Sequence, residues 1–467
     1  MRWSLAVIWR PLTRLGLAIC RHMVRFCLAA APGKGAFLAV LIALCAGHGS
    51  EVQAAPEAPV NPQFQVAPVT DDWRDGLPRD ADAATNAYLQ RLSPLMVARA
   101  NAYFEGGYWL QLWNYLAGLG VSALLLSGGR AARVRDWAQR VGRKALLRDA
   151  LFGAFFSILG FLLTLPLGIY QGFVREHAYG MATQTFLPWF GEQLLALAIN
   201  TLLLALGTAV LYAAIRRAGA RWWAWGTVVT SGLLVLLLLV GPVWIDPLFN
   251  DYRPIADGEV KTAVLAMAQA DGVPVRNVYV FDASRQTTRI SANVSGIFGT
   301  AAIRLNDNLL QRTSLPEIRA VMAHELGHYV MNHVYKMLGG LLLLLAAAFL
   351  FAQWAMAVLL RHQGAALRLR GVDDVATLPL LTALFATFLL LATPLINTLI
   401  RTQEIEADRF GLNLAREPQG AAEAYLKLTE YRKPAPGVLE EFVFFDHPST
   451  RFRIHEAMRW REAMGTP

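Results

Sequence analysis

The sequence predicts a mainly α-helical, polytopic membrane protein with six or seven spans and one small α+β domain. Of its 467 residues, 55% are hydrophobic and 16% are charged, and the mean hydropathy is +0.37. Soluble domains carry about 25% charged residues. The apolar residues also fall into uncharged runs of 20 residues or more. Such runs are long enough to cross a hydrocarbon core of ~30 Å, so a soluble globular class is excluded.

The first segment, residues 1–54, is basic and holds one short apolar stretch, Ala36–Ala46. Val52-Gln53-Ala54 follows, with the small-x-small pattern of a signal peptidase site. We therefore predict a cleaved signal peptide, and an uncleaved first membrane helix is the alternative. A disulfide framework or a cysteine-rich metal site is excluded from the rest of the chain. The reason is that all three cysteines lie in this segment: Cys20, Cys27 and Cys45.

The membrane-spanning part is predicted from its uncharged runs. Residues 55–106 form a linker rich in proline and alanine, followed by a polar helix. Residues 107–244 are predicted to form a four-helix membrane region, and residues 337–400 add two further membrane helices. The six runs are Tyr108–Ser127, Leu151–Tyr170, Leu194–Ile215, Trp225–Trp244, Met337–Leu360 and Leu378–Ile400.

Residues 245–336 form the water-compatible α+β domain. Lys261–Ala270 has the pattern of a short helix, and Val275–Ala283 and Ala301–Leu305 have the β-branched pattern of strands. Another helix is predicted to begin after Ser314, which is a good N-cap residue. A proline follows just inside that helix, with a glutamate at its third position, and both are typical of a helix start.

The helix that begins after Ser314 contains His324-Glu325-Leu326-Gly327-His328, an HExxH pattern. Four helical residues turn about 400°, so His324 and His328 face the same way and can share one metal ion. Glu325 is then close enough to take a proton from a water on that metal, whose pKa zinc lowers to ~7. The pattern predicts a zinc hydrolase site. Because the motif is short, two surface histidines beside an unrelated glutamate are the alternative.

A candidate third ligand lies in residues 401–467, just after the last apolar run. Glu404 and Asp408 are one helical turn apart, while Glu406 points away from them. One carboxylate can bind zinc while the other accepts a hydrogen bond from a ligand histidine. A solvated acidic helix start is the alternative. We do not predict His333 as a ligand, because five helical residues place it about 140° off the face of His328.

These residues together resemble the type I CAAX prenyl endopeptidases, which are multispanning zinc metalloproteases. The resemblance rests on HELGH followed by His333, on the distant Glu-x-x-Ala-Asp that begins at Glu404, and on the late His447-Pro448. It extends roughly from Ala84 to Arg461. Other similar segments are Leu167–Thr185, Ile245–Pro254 and Val278–Phe298.

The resemblance implies roles for individual residues. His324, His328 and Glu404 would be the zinc ligands, and Glu325 the general base. Asn293 would lie where the family holds the substrate main chain. The resemblance also implies that two residues line the cleft and steady the oxyanion, and these are His447 and Arg453.

The basic residues predict the orientation in the membrane. Residues 128–149 hold seven lysines and arginines against two aspartates, and residues 216–221 hold three arginines and no acid. Three more arginines flank the turn at 361–370. Counting spans places these loops on one face and the HExxH motif on the other. The positive-inside rule therefore predicts a bacterial inner-membrane protein with a periplasmic catalytic face. An active site facing the cytosol, as in the eukaryotic family, is the alternative.

The predicted function is a zinc-dependent membrane endopeptidase with one Zn²⁺ per chain. Its predicted partners are membrane-associated protein or peptide substrates and the lipid bilayer. Nucleic acid is not predicted, because the basic clusters behind the net charge of +9 flank apolar runs. The resemblance implies cleavage near a prenylated C-terminus, whereas a periplasmic face favours envelope or misfolded membrane proteins. Two competing functions are a cytosol-facing CAAX-type protease and a non-catalytic membrane transporter or scaffold.

Overall fold

The computed structural model describes residue 61 and residues 64–295 and 301–465. The predicted signal peptide or first membrane helix at 1–54 lies outside the described residues. The four strands are β1 (Tyr252–Pro254), β2 (Val278–Phe281), β3 (Ala292–Ser295) and β4 (Ala302–Asn306). The α-helices are α1 (Asp71–Asp75), α2 (Ala81–Leu89), α3 (Pro94–Leu126), α4 (Arg130–Gly142), α5 (Ala145–Ile169), α6 (Arg175–Ala178), α7 (Phe186–Ala218), α8 (Trp222–Val240), α9 (Glu259–Ala270), α10 (Asp307–Arg312), α11 (Leu315–Val330), α12 (His333–Leu367), α13 (Leu378–Ala415), α14 (Pro418–Leu428), α15 (Val438–Phe444) and α16 (Thr450–Met464).

Five continuous helical segments of the described chain are long and apolar enough to cross a membrane. The third, Phe186–Leu248, folds back at the short 3₁₀ turn Gly219–Arg221, where Gly219 has a φ of 54°. Its two halves, α7 and α8, pack against each other, so the described residues contain six such helices. Leu343 and Leu391 are about three-quarters exposed, at 75% and 74%, as expected of side chains that face lipid. The mainly α-helical, polytopic fold is confirmed.

The three basic loops come together at one end of these helices. Arg135 forms a buried ion pair with Asp374, which joins the first loop to the last. Arg216 Nη2 lies 2.6 Å from Oδ2 of the fully buried Asp149, which joins the first loop to the second. Each membrane helix then runs from this end to the opposite one. The HExxH motif therefore lies at the end away from the basic loops.

The small sheet supports the HExxH helix. Its strand order is β1-β2-β4-β3, with β2 and β4 parallel and the other two pairs antiparallel. Two strands match the predicted ones. Strands β1 and β3 were not predicted, because each contains at most one β-branched residue, whereas β2 contains two valines. Helix α11 begins at Leu315, as predicted, and packs against β3. The residues in the core between sheet and helix include Val278, Ile303, Leu305, Met322 and Leu326.

Candidate metal centre and active site

Helices α11 and α13 approach each other closely because each has a glycine at the contact. A Cβ atom on Gly411 would lie 2.8 Å from the backbone nitrogen of His324. A Cβ atom on Gly327 would lie 3.3 Å from the carbonyl oxygen of Ala407. With no side chain at either position, the two backbones can touch. This contact brings the carboxylate of Glu404 on α13 to the histidines on α11.

His324, His328 and Glu404 converge on one point. The Nε2 atoms of the two histidines are 3.0 Å apart, and a Glu404 oxygen lies 3.3 Å from each. The three candidate ligand atoms lie within 4.8 Å of one another. Oε2 of Glu404 is buried and accepts no hydrogen bond from any described residue. Two imidazoles and one carboxylate are a typical donor set for catalytic zinc, so these residues fit the metal that the sequence predicts.

A buried network holds the other nitrogen of His324. Its Nδ1 lies 2.8 Å from Oδ1 of Asp408, at the position predicted by the one-turn spacing from Glu404. Asp408 also accepts hydrogen bonds from Arg453 Nε (2.8 Å) and from the hydroxyl of Tyr425 (2.9 Å). The Arg453 guanidinium lies over the Tyr425 ring, 4.1 Å from its centroid. Asp408 therefore fixes the ring of His324, and Arg453 and Tyr425 fix Asp408.

His328 is held through its Nδ1 by residues to which the sequence pattern assigns no role. Its Nδ1 lies 2.9 Å from Nδ1 of the buried His333. His333 Nε2 lies 3.0 Å from an oxygen of Glu406, which also accepts a hydrogen bond of 2.8 Å from Lys336. Glu406 does point away from Glu404 and Asp408, as predicted, but it reaches the second histidine through His333.

The position of His333 follows from a break in the helix. Helix α11 ends at Val330, Asn332 has a φ of 59°, and α12 begins at His333. The predicted offset of about 140° assumed one unbroken helix. Asparagine tolerates the left-handed conformation better than most residues, so Asn332 was the available signal for a break.

A cavity of about 240 Å³ opens onto this centre and is lined by His324, Glu325, Glu404, His447 and Arg453. Burial raises the pKa of the Glu325 carboxyl above its ordinary value. His447 Nε2 lies 3.3 Å from Glu404 Oε2, and its Nδ1 lies 2.9 Å from Oδ1 of Asp446. The structure thus brings together all the predicted ligands, Glu325 and His447. It places the Arg453 guanidinium on Asp408, behind His324.

The edge strand β3 forms one wall of the same cavity. Asn293 is paired with Arg304 of β4, and Ser291 exchanges hydrogen bonds with Asn306 just outside the strand. In an antiparallel ladder, the residues between such hydrogen-bonded pairs direct their N–H and C=O groups to the free edge. These residues are Ala292 and Val294. Oδ1 of Asn293 is buried and accepts no hydrogen bond within the described ranges.

Comparison with known proteins identifies the family. The model of "CAAX prenyl protease N-terminal, five membrane helices" matches residues 84–251, and that of "Peptidase family M48" matches residues 254–461. The chain is 31% identical over 342 residues to an uncharacterized metalloprotease, YhfN, of Bacillus subtilis. That match covers 73% of this chain and 80% of the relative. The chain belongs to peptidase family M48.

Two further similarities concern proteins from yeasts. This M48 peptidase is 32% identical over 187 residues to CAAX prenyl protease 1 of Saccharomyces cerevisiae, covering 39% of this chain and 40% of that protein. The crystal structure of Saccharomyces mikatae Ste24p matches with a TM-score of 0.60 at 19% identity. That match covers 78% of this chain and 97% of the other, and it shows a shared fold.

The predicted enzyme class is confirmed by the family. The protein is a multi-pass membrane metalloprotease, as the HExxH motif and the uncharged runs predict. Metalloproteases of family M48 are zinc-dependent. The alternative of a non-catalytic transporter or scaffold is not supported. Both the membrane part and the peptidase part of the chain match the family models of membrane proteases.

Proposed function

We propose that this M48 peptidase hydrolyses peptide bonds in membrane-associated proteins with one Zn²⁺ per chain, held by His324, His328 and Glu404. The observation that carries this proposal is the convergence of three ligand atoms within 4.8 Å at a buried carboxylate oxygen that accepts no hydrogen bond from any described residue. Zinc bound there supplies Lewis acidity for the scissile carbonyl and lowers the pKa of an attacking water towards ~7.

The two histidines are oriented for this task by their outer partners. A histidine that binds metal through Nε2 carries its proton on Nδ1. His324 then donates from Nδ1 to Asp408, and His328 donates from Nδ1 to His333. His333 in turn donates from Nε2 to Glu406. Each of these hydrogen bonds has a donor and an acceptor under this assignment, and both Nε2 atoms stay unprotonated, as they would need to be to hold zinc.

Glu325 follows the first ligand and lines the cavity, where it can act as general base. Its carboxylate accepts a proton from the attacking water and passes it to the leaving amine. Asp446 accepts a hydrogen bond from Nδ1 of His447, and the ring lines the cavity. In the doubly protonated imidazolium, Nε2 would also carry a proton and would donate it in a hydrogen bond to the developing oxyanion. For Arg453 the hydrogen bonds to Asp408 favour a positioning role behind His324.

The substrate lies along β3 in an extended conformation. Ala292 and Val294 present free backbone groups at the sheet edge, and Ala292 lines the cavity beside Glu325. Adding a strand to an exposed edge holds a peptide through its main chain, with little demand on its side chains. Asn293 lies between these two positions, and its buried Oδ1 can accept a hydrogen bond from the substrate main chain. This arrangement fits a protease that accepts varied sequences.

The natural substrates are envelope or misfolded membrane proteins, if the catalytic end faces the periplasm of a bacterial inner membrane. The support is the clustering of the three basic loops at the opposite end, which the positive-inside rule assigns to the cytoplasm. A second candidate is a cytosol-facing CAAX-type processing protease. The observation that favours it is the 32% identity to a yeast protein named CAAX prenyl protease 1.

Substitution of the general base tests the catalytic proposal. Glu325→Gln keeps the shape and the three ligands, so zinc content stays at the wild-type value. Cleavage of labelled casein in detergent solution falls by about 10²–10⁴-fold, the usual contribution of a general base. The matched control is Glu259→Gln, an exposed glutamate at the start of α9. A Glu325→Gln enzyme that cleaves at the wild-type rate would exclude this role.

Cysteine labelling tests the orientation. Cys20, Cys27 and Cys45 are replaced by serine, and one new cysteine is placed at the exposed Ala256 beside the catalytic domain. A membrane-impermeant maleimide is expected to label it in cells whose outer membrane alone has been opened. The control is a cysteine at the exposed Gln363 at the basic end, which should react only after lysis of the inner membrane. The reverse pattern would favour the cytosol-facing protease.

A further inference from the structure

The end of the molecule opposite the catalytic centre contains a second cavity, of about 210 Å³. It lies between helix α4, the start of α5 and the loop that joins α12 to α13. Four of its six lining residues are arginines, and one is an acid. The lining residues are Arg135, Asp136, Gln139, Arg140, Arg148 and Arg370.

Each of the two inner arginines of this cavity already has a buried carboxylate partner. Arg135 is buried and forms an ion pair with the buried Asp374. Arg148 Nη2 lies 2.8 Å from Oδ1 of Asp149, which is fully buried. Buried pairs of this kind hold the walls in place, because separating them would leave a charge without a partner in the interior.

The two outer arginines have spare hydrogen-bonding capacity. Arg140 and Arg370 are exposed, and the carboxylate nearest to them is that of Asp136. Asp136 already accepts a hydrogen bond of 2.9 Å from Arg135 and lies 3.4 Å from Arg370 Nη2. Arg140 makes one long contact, 3.4 Å, to the carbonyl oxygen of Asp136. Most N–H groups of these two guanidinium groups therefore donate to no described residue.

Further cations lie in the two chain segments that line the cavity. Arg143 and Lys144 are exposed in the segment between α4 and α5. Arg143 and Arg368 end their helices with φ angles of 51° and 57°, a conformation in which glycine is the usual residue. An arginine at each of these positions has a cost in backbone energy, and each lies within three residues of a lining arginine, Arg140 or Arg370.

Apolar side chains next to the mouth place it at the membrane surface. Val141, Leu146 and Leu147 are exposed by 55%, 56% and 49%. In the chain, each of them lies one or two residues from Arg140 or Arg148. Leu146 and Leu147 lie in the first turn of α5, which is long and apolar enough to cross a membrane. The cavity therefore lies at the level of the lipid headgroups, with a surface for acyl chains below it.

We propose that this cavity binds the phosphate of an anionic phospholipid. Arg140 and Arg370 would donate to the phosphate oxygens, and Val141, Leu146 and Leu147 would contact the upper acyl chains. Planar guanidinium groups match phosphate oxygens in pairs, and basic pockets at membrane helix ends are suited to anionic headgroups. The exposed apolar residues favour a lipid over a free phosphate. The site depends neither on the catalytic residues nor on which compartment they face.

The test measures lipid binding to the purified full chain in detergent by native mass spectrometry. Wild type is titrated with phosphatidylglycerol and, separately, with phosphatidylcholine. We expect one phosphatidylglycerol to bind at lower concentration than phosphatidylcholine. Arg140→Gln/Arg370→Gln should weaken phosphatidylglycerol binding by about tenfold or more, since charge-assisted hydrogen bonds are lost. The matched control is Arg217→Gln/Arg361→Gln, two exposed arginines of the same end outside the cavity.

Three results would overturn the proposal. Unchanged phosphatidylglycerol binding by the cavity variant would exclude the site. An equal loss in the control variant would show diffuse attraction to the basic end instead of a cavity. Displacement of phosphatidylglycerol by inorganic phosphate, with no preference for the lipid, would identify a soluble phosphate as the ligand. Arg140→Lys/Arg370→Lys, which keeps the charge without the paired geometry, is expected to bind between wild type and the glutamine variant.

Discussion

His324 and His328 direct equivalent nitrogen atoms at the same centre, but the groups behind them differ. His324 is backed by Asp408, a buried carboxylate that is itself held by Arg453. His328 is backed by His333, whose partner Glu406 is 38% exposed on its side chain. One of these two histidines is therefore anchored in the interior and the other at the surface. Two histidines of one short motif can therefore be held by groups in very different environments.

The environments explain the expected difference in strength. The carboxylate of Asp408 and the guanidinium of Arg453 are both buried, so removing one leaves the other charge unpaired away from water. The carboxylate of Glu406 is shared with Lys336 and is partly solvated, so water can replace either partner. Changes on the His324 side should therefore affect zinc binding and stability together. Changes on the His328 side should affect mainly zinc binding.

Asp408→Ala is expected to have the larger effect. Zinc affinity should fall by about 100-fold, the upper end of the range for a lost partner of a ligand histidine. The free energy of unfolding should fall by about 3–5 kcal/mol, because Arg453 stays buried without its partner. Competition with a chelator measures the first quantity, and thermal unfolding measures the second. Asp257→Ala, at an exposed aspartate, is the control, and equal losses there would contradict a specific role for Asp408.

His333→Gln is expected to have the smaller effect. A glutamine cannot place an acceptor where Nδ1 of the imidazole accepts from His328 and also a donor where Nε2 donates to Glu406. The hydrogen bond behind His328 is therefore lost or weakened, and zinc affinity should fall by about tenfold. Thermal unfolding should change less than in Asp408→Ala, since no buried charge loses its partner. Both quantities are measured as above. If His333→Gln lowered zinc affinity as much as Asp408→Ala, the two anchors would be equivalent and the comparison would fail.

The sequence predicted those parts of the site that lie on continuous helices. His324 and His328 share one helix, as do Glu404 and Asp408, and on a continuous helix the spacing alone fixes which side chains face the same way. His333 was missed because the helix breaks at Asn332, which changes the direction of the following side chain.

Contacts between distant segments could not be predicted in the same way. Spacing says nothing about which carboxylate the guanidinium of Arg453 binds, because α13 and α16 meet only in the folded chain. The same holds for the edge strand β3, whose sequence Ala-Asn-Val-Ser contains one β-branched residue and which is defined by its pairing with β4.

In the membrane part, the length of an apolar run does not predict where its helix ends. The predicted run Leu378–Ile400 lies within α13, but that helix continues to Ala415. Apolar residues are needed only within the bilayer, whereas the backbone hydrogen bonds of a helix also form in water. The helix can therefore continue into the aqueous domain after the apolar run has ended. Glu404 and Asp408 lie on this extension. The candidate third ligand, Glu404, is thus positioned by the continuation of a membrane helix.

Zinc content of wild type and Glu404→Ala is the most direct test of the proposed centre. The purified full chains are analysed by inductively coupled plasma mass spectrometry after removal of loosely bound metal. We predict one zinc per chain in wild type and almost none in Glu404→Ala, because two histidines alone hold zinc weakly. One zinc per chain in Glu404→Ala would contradict the account and place the third ligand elsewhere.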